Sequence, residues 1–274
     1  MRRYVAVGIN TGYGDPSADL AGCRPDLTER YLPDLEAAGF EEGVTLYDGD
    51  ATKANIVEAL HVLGSATRAG DTLAFIMSSH GSYVTDRNGD EPDRRDEVLC
   101  CAGCLSGDFE ANCIKDDELA EMIRHVPRGA DLIGIFDACH SQSMSRFMGD
   151  PTATRTRIRF LPNPNERPQP MGPAGIARAL LFGRRRGEYV LESMAELVIS
   201  GCEDGQTSAD AFIDGAWTGA MSYYLSKLWR EDPRQPARQL HARLLHDLRR
   251  AGYSQTASLS GSPARAQLPL YGAE

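Results

Sequence analysis

Short apolar runs alternate with longer stretches of helical period along most of this chain. Arg3 to Asn10, Gly43 to Tyr47, Leu73 to Met77 and Asp131 to Asp137 are each four to eight residues long and rich in Val, Ile, Leu and Phe. Runs of that length and composition, bounded by polar residues, predict strands covered on both faces, as in a parallel sheet. Between them, Cys23 to Ala38 sets Leu27, Tyr31, Leu32 and Leu35 on one helical face, with Pro25 and Pro33 able to delay or kink it. Asp48 to Gly64 does the same with Ile56, Leu60 and Leu63, behind an N-cap at Asp50 or Thr52. Strand, helix, strand, helix, strand is the alternation of an α/β domain with crossover helices.

Further along, Val98 to Cys101 reads as a short strand and Asp116 to Arg124 as a helix. Leu197 to Cys202 reads as another strand, Thr218 to Arg230 and Pro236 to Ala251 as helices, and Gln267 to Tyr271 as a final strand. Two segments lack either period. Tyr83 to Asp96 is a charged loop, and Ser143 to Glu188, rich in Pro, Arg and Asn, is a long insertion of the kind that is usually functional or mobile. No repeat or internal boundary divides the chain, so 1–274 is expected to be one domain carrying a long loop at about 143–188.

Two of the apolar runs end in reactive side chains. Leu73 to Met77 stops at Ser78, Ser79, His80 and Gly81, and Leu132 to Phe136 stops at Asp137, Ala138 and Cys139. Ligands of parallel sheets gather at the carboxyl ends of the strands. If these strands are parallel neighbours, His80 and Cys139 emerge at one edge as a base and a nucleophile: an imidazole raises the thiolate fraction and can protonate a leaving amine. A cysteine after a strand is more often an inert core thiol; the matched histidine shifts the balance.

A hydrophobic block ending in His-Gly, followed by a second ending in Ala-Cys, resembles the caspase-like clan of cysteine peptidases. Within that clan SSHG at 78 to 81, GCRPD at 22 to 26, DE at 96 and 97, DDEL at 116 to 119 and DACHS at 137 to 141 resemble the metacaspases and their prokaryotic relatives, the orthocaspases. The matches follow the family's order from Tyr4 to about Leu270. The resemblance implies a three-layer sandwich, a mostly parallel central sheet with helices on both faces, and peptide-bond hydrolysis by a Cys139–His80 dyad. Backbone amides near Gly81 and Cys139 would stabilise the oxyanion. No organic cofactor is needed.

By the same resemblance Asp26 and Asp137 line the pocket for the side chain preceding the cut, with Ser78 and Cys23 at further pocket positions. Two converging carboxylates suit a guanidinium, which implies arginine, then lysine, and excludes the aspartate preference of true caspases. Asp96, Asp116 and Asp117 match carboxylates that bind calcium in many metacaspases. However, Gln142 replaces the usual glycine after CHS, and Ser145, Arg146 and Phe147 stand where another carboxylate is common. Helix-terminal stabilisation is the alternative role for these aspartates. The segment CEDGQTSAD, Cys202 to Asp210, resembles one that borders the family's cleft. Arg184, Arg185 and Arg186 in the long loop form a candidate cleavage site, for the chain itself or for an upstream activating protease.

Cys100, Cys101, Cys104 and Cys113 invite a zinc reading through CCAGC, although no second C-x-x-C completes it. Hydrophobic content of 42% and charged content of 25% are ordinary for a globular protein. A net charge of -10 argues against nucleic acid and suits a basic protein or peptide substrate. No membrane-length apolar run or signal segment is visible, and seven cysteines are an odd number, so a reduced, cytoplasmic protein is expected. The alternatives are a caspase-like module that binds a regulatory partner without cutting and a thiol-based zinc or redox protein. Retention of His80, Cys139, Asp26 and Asp137 counts against the first.

Overall fold

The computed structural model describes residues 1–86, 95–123, 125–139, 156–165, 197–202 and 206–272. Its strands in chain order are β1 (Arg2–Gly8), β2 (Glu42–Tyr47), β3 (Thr72–Ser78), β4 (Gly81–Thr85), β5 (Arg95–Cys100) and β6 (Cys113–Lys115). They continue with β7 (Asp131–Asp137), β8 (Thr156–Ile158), β9 (Leu197–Ser200), β10 (Ala209–Ile213), β11 (Ala216–Gly219) and β12 (Ser258–Gly261). The central sheet has the order β12-β9-β7-β3-β1-β2, parallel except for the β12 edge. Two three-stranded sheets, β4-β5-β6 and β11-β10-β8, accompany it.

Alternation along the central strands supplies two cores, because successive side chains of a strand point to opposite faces. On one face Val5, Val7, Phe75 and Met77 meet Ile56, Leu60 and Leu63 of α3 (Lys53–Ala66), with Leu119 of α4 (Asp116–Ile123) in the same cluster. On the other, Ala6, Ala74, Ile76, Ile133 and Ile135 meet Leu27, Tyr31 and Leu35. Leu225 of α5 (Ala220–Glu231) and Leu240, Leu244 and Leu248 of α6 (Ala237–Arg250) complete that face. This is the expected three-layer caspase-like α/β sandwich. Thr52 caps α3, its hydroxyl accepting from the Asn55 N–H.

Several elements depart from the periodicity reading. The helix expected over Cys23 to Ala38 is α1 (Cys23–Pro25), a π-helical stretch Asp26–Tyr31, and α2 (Leu32–Ala37). The widened turn lies directly before Pro33, which lacks an N–H and whose ring crowds the preceding turn. The charged segment from Tyr83 is bracketed by strands, β4 running to Thr85 and β5 starting at Arg95. The final strand expected at Gln267 to Tyr271 is absent. Arg265–Gln267 is a 3-10 turn, and the antiparallel edge strand is β12, whose polar start at Ser258 precedes the expected strand in the chain. Leu270 and Tyr271 are buried against the core without pairing as a strand, so burial alone produced their apolar signal. Within the long insertion, the described residues 156–165 contain β8.

Ile76 is fully buried and Val62 is 51% exposed. Ile76→Ala should therefore lower unfolding free energy by about 2–5 kcal/mol, and Val62→Ala by no more than about 0.5 kcal/mol, as read from urea midpoints.

Candidate active site

Strand register brings the two chemical ends together. β3 and β7 are parallel neighbours with Ser78 opposite Asp137, so His80 and Cys139 each lie two residues past the same register pair. Gly81 and Cys139 approach so closely that a Cβ on Gly81 would overlap the Cys139 backbone, which makes glycine obligatory there.

His80 is buried, and its Nε2 lies 2.7 Å from the Ala18 carbonyl. A carbonyl only accepts, so Nε2 carries the proton and Nδ1 presents a lone pair. Nδ1 is buried and has no hydrogen-bond partner among the described residues. Burial holds the imidazole below its ordinary pKa of 6.5, the Ala18 bond opposing and the nearby Arg159 charge reinforcing that shift. The Cys139 thiol is turned toward Ser208: its sulfur accepts from the Ser208 N–H and lies 3.6 Å from the Ser208 carbonyl. The dyad is thus in one place without being hydrogen-bonded to each other, a looseness common before substrate engages.

Asp26, at the head of the π-helical turn, and Asp137, at the end of β7, converge as the sequence implied, and both are fully buried. Between them stands a guanidinium from the chain itself. Arg159 Nη2 lies 2.8 Å from Asp26 Oδ2 and 3.0 Å from Asp210 Oδ1, and Nη1 lies 3.3 Å from Asp137 Oδ2. Arg159 Nη1 also donates to Ser78 Oγ at 2.6 Å, and Ser78 Oγ donates to Asp26 at 2.7 Å. Burial works against the Arg159 charge, but the carboxylates outweigh it and hold the guanidinium protonated. Asp26 is shifted upward, by burial first, with Arg159 opposing and Asp137 reinforcing. Cys23 is buried beside this cluster; burial raises its thiol well above the ordinary value and the Arg159 charge opposes.

The carboxylates are held by further donors. Thr218 Oγ1 and Gly219 N reach Asp26 at 2.7 and 2.8 Å, Ser222 Oγ reaches Asp137 at 2.6 Å, and the Ala21 and Gly22 N–H groups each reach Asp210 at 2.9 Å. Gly219 forms the wall: a Cβ there would overlap Asp137 Oδ2 and the Arg159 guanidinium. Sequence reasoning missed Arg159, Asp210, Ser208, Thr218 and Ser222 as individual residues. Asp210 had a signal, since it ends the CEDGQTSAD segment expected at the cleft; Arg159 was one arginine among many in the insertion.

The Arg159 carbonyl completes the arrangement. It accepts from Gly81 N at 2.9 Å and from Cys139 N at 3.3 Å, the two amides anticipated as oxyanion donors.

The other expected site residues lie apart from this cluster. Asp96 sits in β5 with a carboxylate oxygen 3.7 Å from Lys115 Nζ, and Asp116 and Asp117 open α4, where Asp116 accepts the Asp117 N–H at 2.9 Å. Among the described residues these three carboxylates are not gathered as one ligand group. Cys100, Cys104 and Cys113 do converge, their sulfurs all within 4.8 Å of one another and buried. Hydrogen bonds from Cys100 and Cys113 draw the Cys104 thiol down to about 4. Cys101 stays outside the trio, its thiol pushed up to about 12 by burial. Arg184, Arg185, Arg186, Gln142 and Ser145 to Phe147 lie outside the described residues. Among the described residues no helix is long and apolar enough to cross a membrane.

Known proteins share both sequence and fold with this chain. The metacaspase, peptidase C14 domain model matches residues 2–147. Metacaspase-1 of Coccidioides immitis is 33% identical across 95% of this chain, which spans 61% of that relative's length. Metacaspase-1 of Meyerozyma guilliermondii is 30% identical across 95% of this chain and 69% of its own length. The crystal structure of a Geobacter sulfurreducens protein superposes with a TM-score of 0.67 over 99% of this chain and 98% of its own, at 24% identity, and so shares the fold.

A buried neutral imidazole takes up its proton only below the value it has when unfolded. His80 should therefore titrate below 6.5 in an NMR pH series on the folded chain. Its contribution to stability is full above 6.5 and falls as pH drops through that value toward the folded one.

Proposed function

This chain belongs to the metacaspase family, and from that premise we propose that it is a cysteine endopeptidase cutting protein or peptide substrates after arginine, then lysine. Arg159 carries the reading: an arginine occupies a pocket of three buried carboxylates while its own carbonyl accepts the N–H groups of Gly81 and Cys139. A substrate arginine in the same pose would present its carbonyl carbon to the Cys139 thiol. His80 Nδ1 takes the thiol proton, the developing oxyanion draws on the two amides, and the imidazolium returns the proton to the leaving amine. The resulting thioester is hydrolysed by water. Forked Nη contacts suit guanidinium over the single ammonium of lysine, and an aspartate side chain would add a fourth buried negative charge.

Calcium activation, the remaining candidate role for Asp96, Asp116 and Asp117, is read by mutation. Asp116→Ala with Asp117→Ala should cancel any rise in rate on adding calcium and leave the arginine preference unchanged. An equal rise in both proteins removes these residues from that role. The thiol trio favours a second reading, a metal or redox site at Cys100, Cys104 and Cys113, next to His80, whose carbonyl accepts the Cys100 N–H at 2.9 Å. Zinc at one equivalent in purified protein, lost in Cys104→Ser, would support it.

A fluorogenic peptide panel varying the residue before the cut tests the main reading. Arginine should exceed lysine, and aspartate should give no signal. Cys139→Ala should abolish hydrolysis and His80→Ala come close to it, since the two act as a unit. Asp26→Ala or Asp137→Ala should each cost on the order of 2–5 kcal/mol, about 30-fold or more in kcat/KM. A preference for aspartate peptides, or full rates in Cys139→Ala, would contradict it.

A further inference from the structure

Beside the nucleophile lies a second thiol that peptide hydrolysis does not use, and we propose that Cys202 is its resolving partner: when a peroxide oxidises Cys139, Cys202 closes a reversible Cys139–Cys202 disulfide. It rests on the peptidase reading above and adds redox control of that same site.

The central sheet delivers both residues to one edge. β7 and β9 are parallel neighbours with Phe136 opposite Ser200, and just past that pair Gly201 N donates to the Phe136 carbonyl at 2.8 Å. Cys139 follows on one strand and Cys202 on the other. Adjacent strands run about 4.8 Å apart, inside the range of about 4.4–6.8 Å between Cα atoms that a disulfide spans. Cys202 Sγ lies 3.7 Å from the carbonyl of Ala138, the residue before the nucleophile, and 3.5 Å from the Gln206 carbonyl. Cys139, Cys202, Tyr83 and Phe160 form one buried cluster, whereas Cys100, Cys101, Cys104 and Cys113 belong to another. Both thiols of the pair are free.

A buried cysteine by itself is usually a small apolar side chain that fills space. Contact with the sulfur that does the chemistry sets Cys202 apart. A hydrogen bond with Cys139 is the main reason that the Cys202 thiol is held well above its ordinary value, with burial second. A bond that favours the protonated form is one the thiol donates, so the Cys202 S–H is aimed at the Cys139 sulfur. Kept neutral in this way, Cys202 does not compete with the nucleophile for an oxidant, because peroxides react with thiolates.

In the step proposed, His80 takes the Cys139 proton and the sulfur attacks one oxygen of hydrogen peroxide. The O–O bond breaks, Cys139 becomes a sulfenic acid, and the other oxygen leaves as water with the proton from His80. Cys202 then attacks the Cys139 sulfur: the S–O bond breaks, the S–S bond forms, and the hydroxyl leaves as water with the Cys202 proton. The two thiols have lost two electrons, and the peroxide has gained them. A dithiol reductant reopens the bond by exchange. Without a resolving thiol the sulfenic acid is oxidised further to a sulfinic acid, which such a reductant does not restore.

Hydrogen peroxide, then catalase, then dithiothreitol, applied to the purified full-length chain, tests the proposal. Peptide mapping and hydrolysis of a fluorogenic arginine peptide are read before and after each addition. In wild type, oxidation should stop hydrolysis and join the Cys139 and Cys202 peptides with the loss of two hydrogens, and dithiothreitol should restore most of the starting rate. Cys202→Ala, scaled to its own starting rate, should be stopped as readily but regain roughly tenfold less, with Cys139 recovered as the sulfinic acid. The wild-type map needs no variant, so it decides the bond even where Cys202→Ala fails to fold. Wild-type Cys139 found as a sulfinic acid or bridged to Cys23 or any other cysteine, or equal recovery in Cys202→Ala, overturns the proposal and leaves the peptidase reading standing. If untreated wild type hydrolyses no peptide, the peptidase reading fails and takes its redox control with it, whatever bridge the map shows.

Discussion

Three buried carboxylates around one guanidinium are the constraint on which the site depends. Asp26, Asp137 and Asp210 come from a helix start, the end of a central strand and a strand of a smaller sheet, and only a closed fold gathers them. Taking an ion out of water costs several kcal/mol even after relaxation, and converging like charges add to that. The fold answers with hydroxyl and amide donors from Thr218, Gly219, Ser222, Ala21 and Gly22, and with Arg159. The donors hold the carboxylates in position, and Arg159 supplies the charge. A pocket so built is incomplete without a cation, and in this structure Arg159 is that cation.

Around that pocket the backbone sets the chemistry. Parallel pairing of β3 with β7 fixes Ser78 opposite Asp137, and a histidine and a cysteine each follow two residues further along their own strands. Gly81 lets the backbones approach until its amide and that of Cys139 point at one oxygen. The Ala18 carbonyl sets the His80 tautomer, leaving Nδ1 as the basic nitrogen in a dry environment that keeps it neutral. Each of these is a main-chain property, which is why a few short motifs suffice to specify it.

What could be read from the sequence follows the same division. The strands delivering His80 and Cys139 announce themselves because both faces are covered and their central positions are apolar; Asp137 stands two residues before Cys139, and Asp26 was found only through the resemblance of GCRPD to the metacaspases. Strands β4, β8 and β10 were not legible: they are short and mix apolar with polar residues, and tertiary pairing decides them. The π-helical widening before Pro33 was visible only as a suspected kink. Arg159 was hidden for a different reason. Its partners are 22 to 133 residues away in the chain, and nothing local separates an arginine that enters the pocket from the many in the same insertion that the sequence shows.

The most direct measurement of the central claim is a crystal structure of the full-length Cys139→Ala chain. The account predicts continuous density through Arg159 and Phe160, the guanidinium between Asp26, Asp137 and Asp210, and the Arg159 carbonyl on the amides of Gly81 and residue 139. A pocket holding only solvent, with Arg159 elsewhere, would contradict it.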